Sequence, residues 1–463
     1  MRARHVAPFL AAFVAASAAA RCARPNVALI VLGGTIVTGN ASHDVIEHGA
    51  VVVDGADIVD VGRAVDLVPR YAARETIDAG SELVLPGLIN THTHAPMVMF
   101  RGLADDVDLN DWLQKYIFPA EAKTVSPEFV RIGTSLAALE MIESGTTTFV
   151  DMYYFEEDVA TAARDAGLRG VLGQTILEFP APDAKTPADE LKRTEAFIQA
   201  FKGDPLITPA VAPHAIYTND TPTLQAAAAL ARRYGVPLLT HLSETEEEVR
   251  NARAAHGMTP TAYLDSIGFL GPGTLVAHGV WMTPEDIAAL RRRGVGVSHN
   301  PESNMKLASG AAPVMAYLAA GVALGLGTDG AASNNDLDMF EAMRQAAFLA
   351  KLTTSDPKAM PARTALDLAT MGGARALGME RAIGSLEKGK RADLITVSMS
   401  AARQTPMYDP VSHLVYVTRG DDVRTTIVNG KVLMKERRLR TLDEDKVLAD
   451  ARALADKVRQ ALR

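Results

Sequence analysis

Leu85-Pro86-Gly87-Leu88-Ile89-Asn90-Thr91-His92-Thr93-His94 is a short apolar run that ends in two histidines separated by one residue. In a strand, side chains at i and i+2 share a face, and two residues of rise separate them by about 6.6 Å. Both imidazoles can therefore reach one metal ion from the C-terminal tip of a single strand. The pair alone is a weak signal. It gains weight from what surrounds it.

Downstream, apolar strand-like runs alternate with helical segments, the pattern of a parallel α/β structure. Candidate strands cover 146–151, 170–176, 206–212, 236–242, 274–279, 294–300 and 322–329. With 83–94 they make eight, the count for a (β/α)8 TIM-like barrel, in which chemistry sits at the C-terminal ends of the strands. A doubly wound sheet is the alternative, but it gives no reason for polar residues at so many strand tips.

Both flanks read as antiparallel β structure. Upstream lie 27–37, 50–61 around Asp54-Gly55, and 75–85; downstream lie 391–399 and 424–433 around Asn429-Gly430. The expected organisation is a β-sandwich built from both chain ends, 24–85 and 385–442, around a barrel at 86–384. A closing helix at 443–463 carries Val447, Ala451, Leu454, Val458 and Leu462 at helical spacing.

The N-terminus differs from the rest. Arg2, Arg4 and His5 precede an alanine-rich apolar run from Val6 to Ala20, which reads over 1–23 as a signal peptide. Its cleavage would make the protein periplasmic or secreted; without it the protein would be cytoplasmic. The run is too short to span a membrane. Cys22 is the only cysteine in 463 residues, which excludes an internal disulfide framework and a cysteine-ligated zinc site. A net charge of −8 with no basic run points away from nucleic acid and toward a small-molecule substrate. Self-association stays open.

Six of the eleven histidines fall at the expected strand ends: His92, His94, His214, His241, His278 and His299. Asp329 ends Gly325-Leu326-Gly327-Thr328-Asp329-Gly330, where an apolar strand delivers one carboxylate into a turn. Taken singly, a strand-end histidine is more often structural, and an aspartate before glycine more often caps a turn. Together His92, His94, His241 and Asp329 offer three imidazoles and one carboxylate. That set suits a borderline divalent ion, Zn2+ before Fe2+.

On these residues the chain resembles the amidohydrolase superfamily, in its branch of cytosine, guanine and triazine aminohydrolases, and is most similar there to the 5'-methylthioadenosine/S-adenosylhomocysteine deaminases. The resemblance runs over 27–442 and is carried by 86–94, 111–121, 212–214, 240–244, 277–279, 298–304, 327–335 and 408–429. It implies a metal-dependent barrel with a small β-sandwich, and His92, His94, His241 and Asp329 as ligands. Binuclear relatives use a carboxylated lysine after the fourth strand; here Pro213-His214 follows, which implies one ion per subunit.

The implied reaction is hydrolytic removal of the 6-amino group of an adenine nucleoside. Asp329 would take a proton from water as general base, Glu244 would donate one to ring N1, and His278 would steady the tetrahedral intermediate. Glu121 would hold the ribose hydroxyls and His214 would contact substrate. Met97, Met99, Phe100, Leu103, Trp112 and Phe118 are the expected apolar walls. Gln174 stands where some relatives carry an arginine suited to a substrate carboxylate, which favours 5'-methylthioadenosine, adenosine or 5'-deoxyadenosine over S-adenosylhomocysteine. The competing readings are an aminohydrolase of guanine, oxopurine, pterin or triazine rings, which would need no ribose carboxylate at Glu121, and a non-catalytic barrel scaffold, which would have shed metal ligands.

Overall fold

A computed structural model describes residues 24–463. The signal-like segment and Cys22 lie outside the described residues. Eight parallel strands, β1 (Leu88–Thr93), β2 (Thr146–Tyr153), β3 (Arg169–Ile176), β4 (Ile207–Pro213), β5 (Leu238–Leu242), β6 (Thr274–His278), β7 (Gly296–His299) and β8 (Ala323–Leu326), lie side by side in chain order. Every residue of β1, β2 and β3 is buried, as expected for strands covered on both faces. Several helices between them begin at side-chain caps followed by proline, such as Ser126-Pro127 and Thr283-Pro284.

Side chains close the seam between β1 and β8. Thr91 Oγ1 donates to the Leu326 carbonyl at 2.8 Å, and Asn90 Oδ1 accepts from the Thr328 backbone N–H at 3.0 Å. The Asp329 N–H reaches the His92 carbonyl at 3.0 Å. Gly327 allows this approach: a Cβ there would stand 2.5 Å from Asn300 Oδ1 and 2.9 Å from the His92 nitrogen. The first metal-ligand candidate and the last are thus stitched together by the closure of the barrel.

Two further sheets use both ends of the chain. One orders Asp57–Arg63, Gly49–Asp54, Asn26–Leu32 and Ala72–Asp78. In the other, Leu83–Pro86 pairs antiparallel with Leu394–Val397, which pairs with Val423–Val428. Leu29, Val31, Val53, Ile77, Val84, Leu394 and Ile427 form a shared core for the two sheets. The helix Glu444–Ala461 buries Val447, Ala451, Leu454 and Val458, packing against Pro127–Glu143.

Three runs that read as single strands are divided. The 83–94 run hands over at Gly87 from the outer sheet to β1, and a Cβ at Gly87 would collide with Thr147 at 2.1 Å. The 27–37 run breaks at Gly33, whose φ is +95°. The 75–85 run splits between the two sheets. Among the described residues, no helix is long and apolar enough to cross a membrane.

Candidate active site

Five of the six strand-end histidines converge. The His92 ring centroid lies 4.9 Å from that of His94, 5.0 Å from His241 and 5.5 Å from His278, and His214 lies 4.5 Å from His241. The pairing of β1 with β2 skips between Asn90 and Thr93, so regular strand pairing lapses where His92 emerges. His299 ends β7 but does not line the cavity, and neither of its ring nitrogens has a hydrogen-bond partner.

Backbone carbonyls set the outward nitrogens. His94 Nδ1 donates to the Met152 carbonyl at 2.7 Å, and His241 Nδ1 to the His214 carbonyl at 2.8 Å. Each ring therefore presents Nε2 as a bare lone pair, and the two Nε2 atoms stand 3.4 Å apart. His92 Nε2 is buried with no hydrogen-bond partner. Asp329 Oδ1 lies 3.4 Å from His92 Nε2 and 3.3 Å from His94 Nε2. His92, His94 and His241 bring their ring nitrogens together, and with Asp329 Oδ1 beside both His92 and His94 they fit a divalent cation. Burial holds His92 down to about 4 and His214 to about 3, and drives His241 well below its ordinary range, so all three stay neutral, which leaves His92 and His241 able to ligate.

Asp329 sits at a φ of +65° and His278 at +73°, left-handed backbone that turns both side chains inward. Ser303 Oγ donates to Asp329 Oδ2 at 2.7 Å, and the Gly330 N–H to Oδ1 at 2.7 Å. His278 Nδ1 donates to Asn304 Oδ1 at 2.9 Å; its Nε2 lies 3.6 Å from Glu244 Oε2 and 4.0 Å from Asp329 Oδ2. Glu244 is held by its neighbour Glu248, whose carboxylate accepts the Ser243 and Glu244 N–H groups at 2.9 and 2.8 Å. Burial raises the Glu244 pKa; the His278 charge opposes this and the Asp329 charge adds to it.

One cavity is lined by His94, His214, His241, His278, Glu244 and Asp329 together with Trp112, Phe118 and Glu121. Met97 joins this lining. Met99, Phe100 and Leu103 do not: Phe100 packs on Phe129 with ring centroids 5.0 Å apart, and Leu103 is exposed. Among the described residues, no lysine or arginine lines the cavity. Gln174 is also absent from it, being buried with Nε2 donating to Asp183 Oδ2 at 2.7 Å. It therefore does not decide what holds a 5'-substituent. Ser303, Glu248, Tyr153 and Tyr154 were not singled out as site residues by their sequence; only the serine's place in Ser298-His299-Asn300-Pro301-Glu302-Ser303-Asn304 hinted at a role.

The model of the amidohydrolase family matches residues 83–433. A 5-methylthioadenosine/S-adenosylhomocysteine deaminase of Syntrophus aciditrophicus is 46% identical over 438 residues, covering 95% of this chain and 99% of that one. A 5'-deoxyadenosine deaminase of Methanosarcina mazei is 44% identical, covering 93% and 98%. The crystal structure of an adenosine deaminase from Xanthomonas campestris with bound zinc superposes with a TM-score of 0.93 at 39% identity, covering 94% of this chain and 100% of that one. A barrel whose first and last strands gather histidines and an aspartate at one mouth, matched over these lengths, places the chain in the amidohydrolase family as a hydrolase acting on C–N bonds.

Proposed function

We propose that this chain hydrolytically deaminates an adenine nucleoside, using one divalent ion, Zn2+ before Fe2+, held by His92, His94, His241 and Asp329. The observation that carries the reading is that His94, His241 and Asp329 of this cluster line a single cavity with Glu244 and Glu121. The relatives named above share an adenine nucleoside as the compound in their names. A cavity without a cationic side chain favours neutral 5'-groups, as in 5'-methylthioadenosine, 5'-deoxyadenosine or adenosine, over the carboxylate of S-adenosylhomocysteine.

The bound ion supplies a Lewis acid that brings the pKa of water to about 7. Asp329, fixed by Ser303 and Gly330, accepts a proton from the attacking water. Glu244, its pKa raised by burial, gives a proton to ring N1 as C6 becomes tetrahedral, and then serves the departing ammonia. His278, aimed by Asn304, brings its Nε2 between these two carboxylates and stabilises the oxygen that gains charge at C6. Trp112 and Phe118 provide apolar surface for the purine, and Glu121 accepts from the ribose hydroxyls.

The test is ammonia release, with loss of adenine absorbance, across adenine nucleosides, guanine, a pterin and triazines. Turnover confined to the nucleosides, about one ion per chain by elemental analysis, and silence after chelation are expected. Faster turnover of a free base or triazine would overturn the nucleoside assignment, and two tightly held ions the mononuclear one.

A further inference from the structure

Glu121 is the one carboxylate of the cavity that stands apart from the imidazole cluster. It lies in the helix Phe118–Thr124 and is 4% exposed. The Tyr153 hydroxyl donates to its Oε1 at 2.8 Å and the Tyr154 hydroxyl to its Oε2 at 3.2 Å. Consecutive strand residues ordinarily face opposite ways. These two reach the same carboxylate because β2 ends at Tyr153 and the backbone turns at Phe155, with φ +53°. Their rings pack with centroids 4.9 Å apart, and both tyrosines line the cavity.

A carboxylate offers about four acceptor positions, two on each oxygen. The tyrosines occupy one on each, which leaves one on each. Two adjacent hydroxyls of a sugar match that remainder. We propose that Tyr153 and Tyr154 are positioning residues that hold Glu121 with its free acceptor positions toward the cavity, making the site selective for substrates with an intact 2',3'-diol. This rests on the nucleoside reading given above. The titratable groups that share the cavity with Glu121 are the two tyrosines, Tyr217, His94, His214, His241, His278, Glu244 and Asp329, and Lys123 is exposed on its own helix. Burial lifts the Glu121 pKa to about 7, and the two tyrosine bonds pull against that rise. The pair thus also favours the ionised carboxylate, the form that accepts most strongly.

The experiment compares kcat/KM for adenosine and 2',3'-dideoxyadenosine across pH, in the metal-loaded wild type and in Tyr153→Phe and Tyr154→Phe. In the wild type, preference for the diol should weaken as pH falls through about 7. Each variant should lose about tenfold or more of the preference at neutral pH. Its midpoint should move to higher pH, while the rate on the dideoxy substrate and the metal content stay unchanged. A packing role alone would slow both substrates equally and leave the midpoint in place, and that result overturns the proposal. A wild type indifferent to the diol at every pH overturns the nucleoside reading as well; a preference for the diol that is equal in the wild type and both variants overturns only the tyrosine assignment. Glu121→Gln, which cannot ionise, should abolish the pH dependence while keeping the fold.

Discussion

Arg169 opens β3 at the floor of the barrel, and Asp329 follows β8 at its mouth; both are buried charges, and their surroundings differ in kind. The Arg169 guanidinium grips Asp393 of the outer sheets with both ends of its fork, Nε to Oδ2 at 2.9 Å and Nη2 to Oδ1 at 3.2 Å, and donates to the Pro205 carbonyl at 3.1 Å. Asp393 Oδ1 also accepts the Asn429 N–H at 2.6 Å. The floor is a satisfied network. At the mouth, His92 Nε2 has no partner, His278 and Asp329 sit on left-handed backbone, and three imidazoles crowd two carboxylates. The Arg169–Asp393 pair at the floor has its partners within the fold; the cluster at the mouth keeps capacity free for something that arrives later. The chain therefore keeps stability and chemistry at opposite ends of the same strands.

The most severe way to break the mouth is Asp329→Asn. It removes the proton acceptor and one ligand together, so kcat should fall by about 10^4-fold or more. Thermal unfolding of the metal-free protein should fall only slightly, because the amide oxygen still accepts one of the bonds from Ser303 and Gly330. Loss of fold with activity would place Asp329 with the floor residues. Glu244→Gln comes next. The shape is kept but no proton can be delivered, and kcat should drop by about 10^2–10^4-fold. Metal content measured on the same preparation should not change; if the residual rate follows metal occupancy instead, Glu244 supports the site rather than acting in it.

How far this division shows in the sequence depends on the range of the interaction. Strand-end histidines and the Thr328-Asp329-Gly330 turn are local patterns, since alternation along a strand fixes which side chains share a face. The barrel count follows from the same alternation of apolar runs. What stays hidden is set by packing between distant segments. Tyr153 and Tyr154 meet Glu121 across about thirty residues of chain, and Arg169 meets Asp393 across more than two hundred. Neither pairing leaves a periodic trace. The hand-over at Gly87 is hidden for another reason: the run from Leu83 to Thr93 is apolar or buried throughout, so one continuous pattern serves two sheets. Gln174 misled because a strand-end position was taken for a cavity-facing one. Asp183, in the loop after β3, claims its amide instead.

Arg169→Met tests the floor. The substitution leaves the Asp393 carboxylate buried without its counter-ion, and such a break costs about 3–5 kcal/mol. Denaturant unfolding should show that loss, while kcat per folded molecule stays close to wild type. Adding Asp393→Asn should recover part of the stability, because the uncompensated charge is then gone. A large fall in kcat without loss of stability would mean that the two ends are coupled through β3, and that the separation drawn here fails.

Glu190 offers the smallest and finest test, because it lies between the two extremes. It stands in the helix Pro187–Phe201; its Oε2 accepts the Leu177 N–H, and its Oε1 has no partner. Burial, with the nearby carboxylates of Asp183, Glu178 and Asp189, pushes its pKa from 4.5 up to about 9 against the pull of the Leu177 bond. The folded chain thus keeps a proton that the unfolded chain releases above 4.5, so this group's contribution to stability declines as pH rises from there toward about 9. Over a rise from about pH 6 to about pH 8, the decline should be about 1–3 kcal/mol. Glu190→Gln stays neutral at every pH and should remove that part of the slope, read as the change in urea midpoint at the two pH values. Glu302, also raised to about 9, would leave a residual slope in both proteins, so the difference between them is the quantity to compare. Equal slopes would mean that Glu190 is ionised and fully compensated, like Asp393. A flattened slope with unchanged kcat would show that a group with one oxygen unpaired can lie outside the reacting cluster, and would make the count of free partners alone an insufficient sign of chemistry.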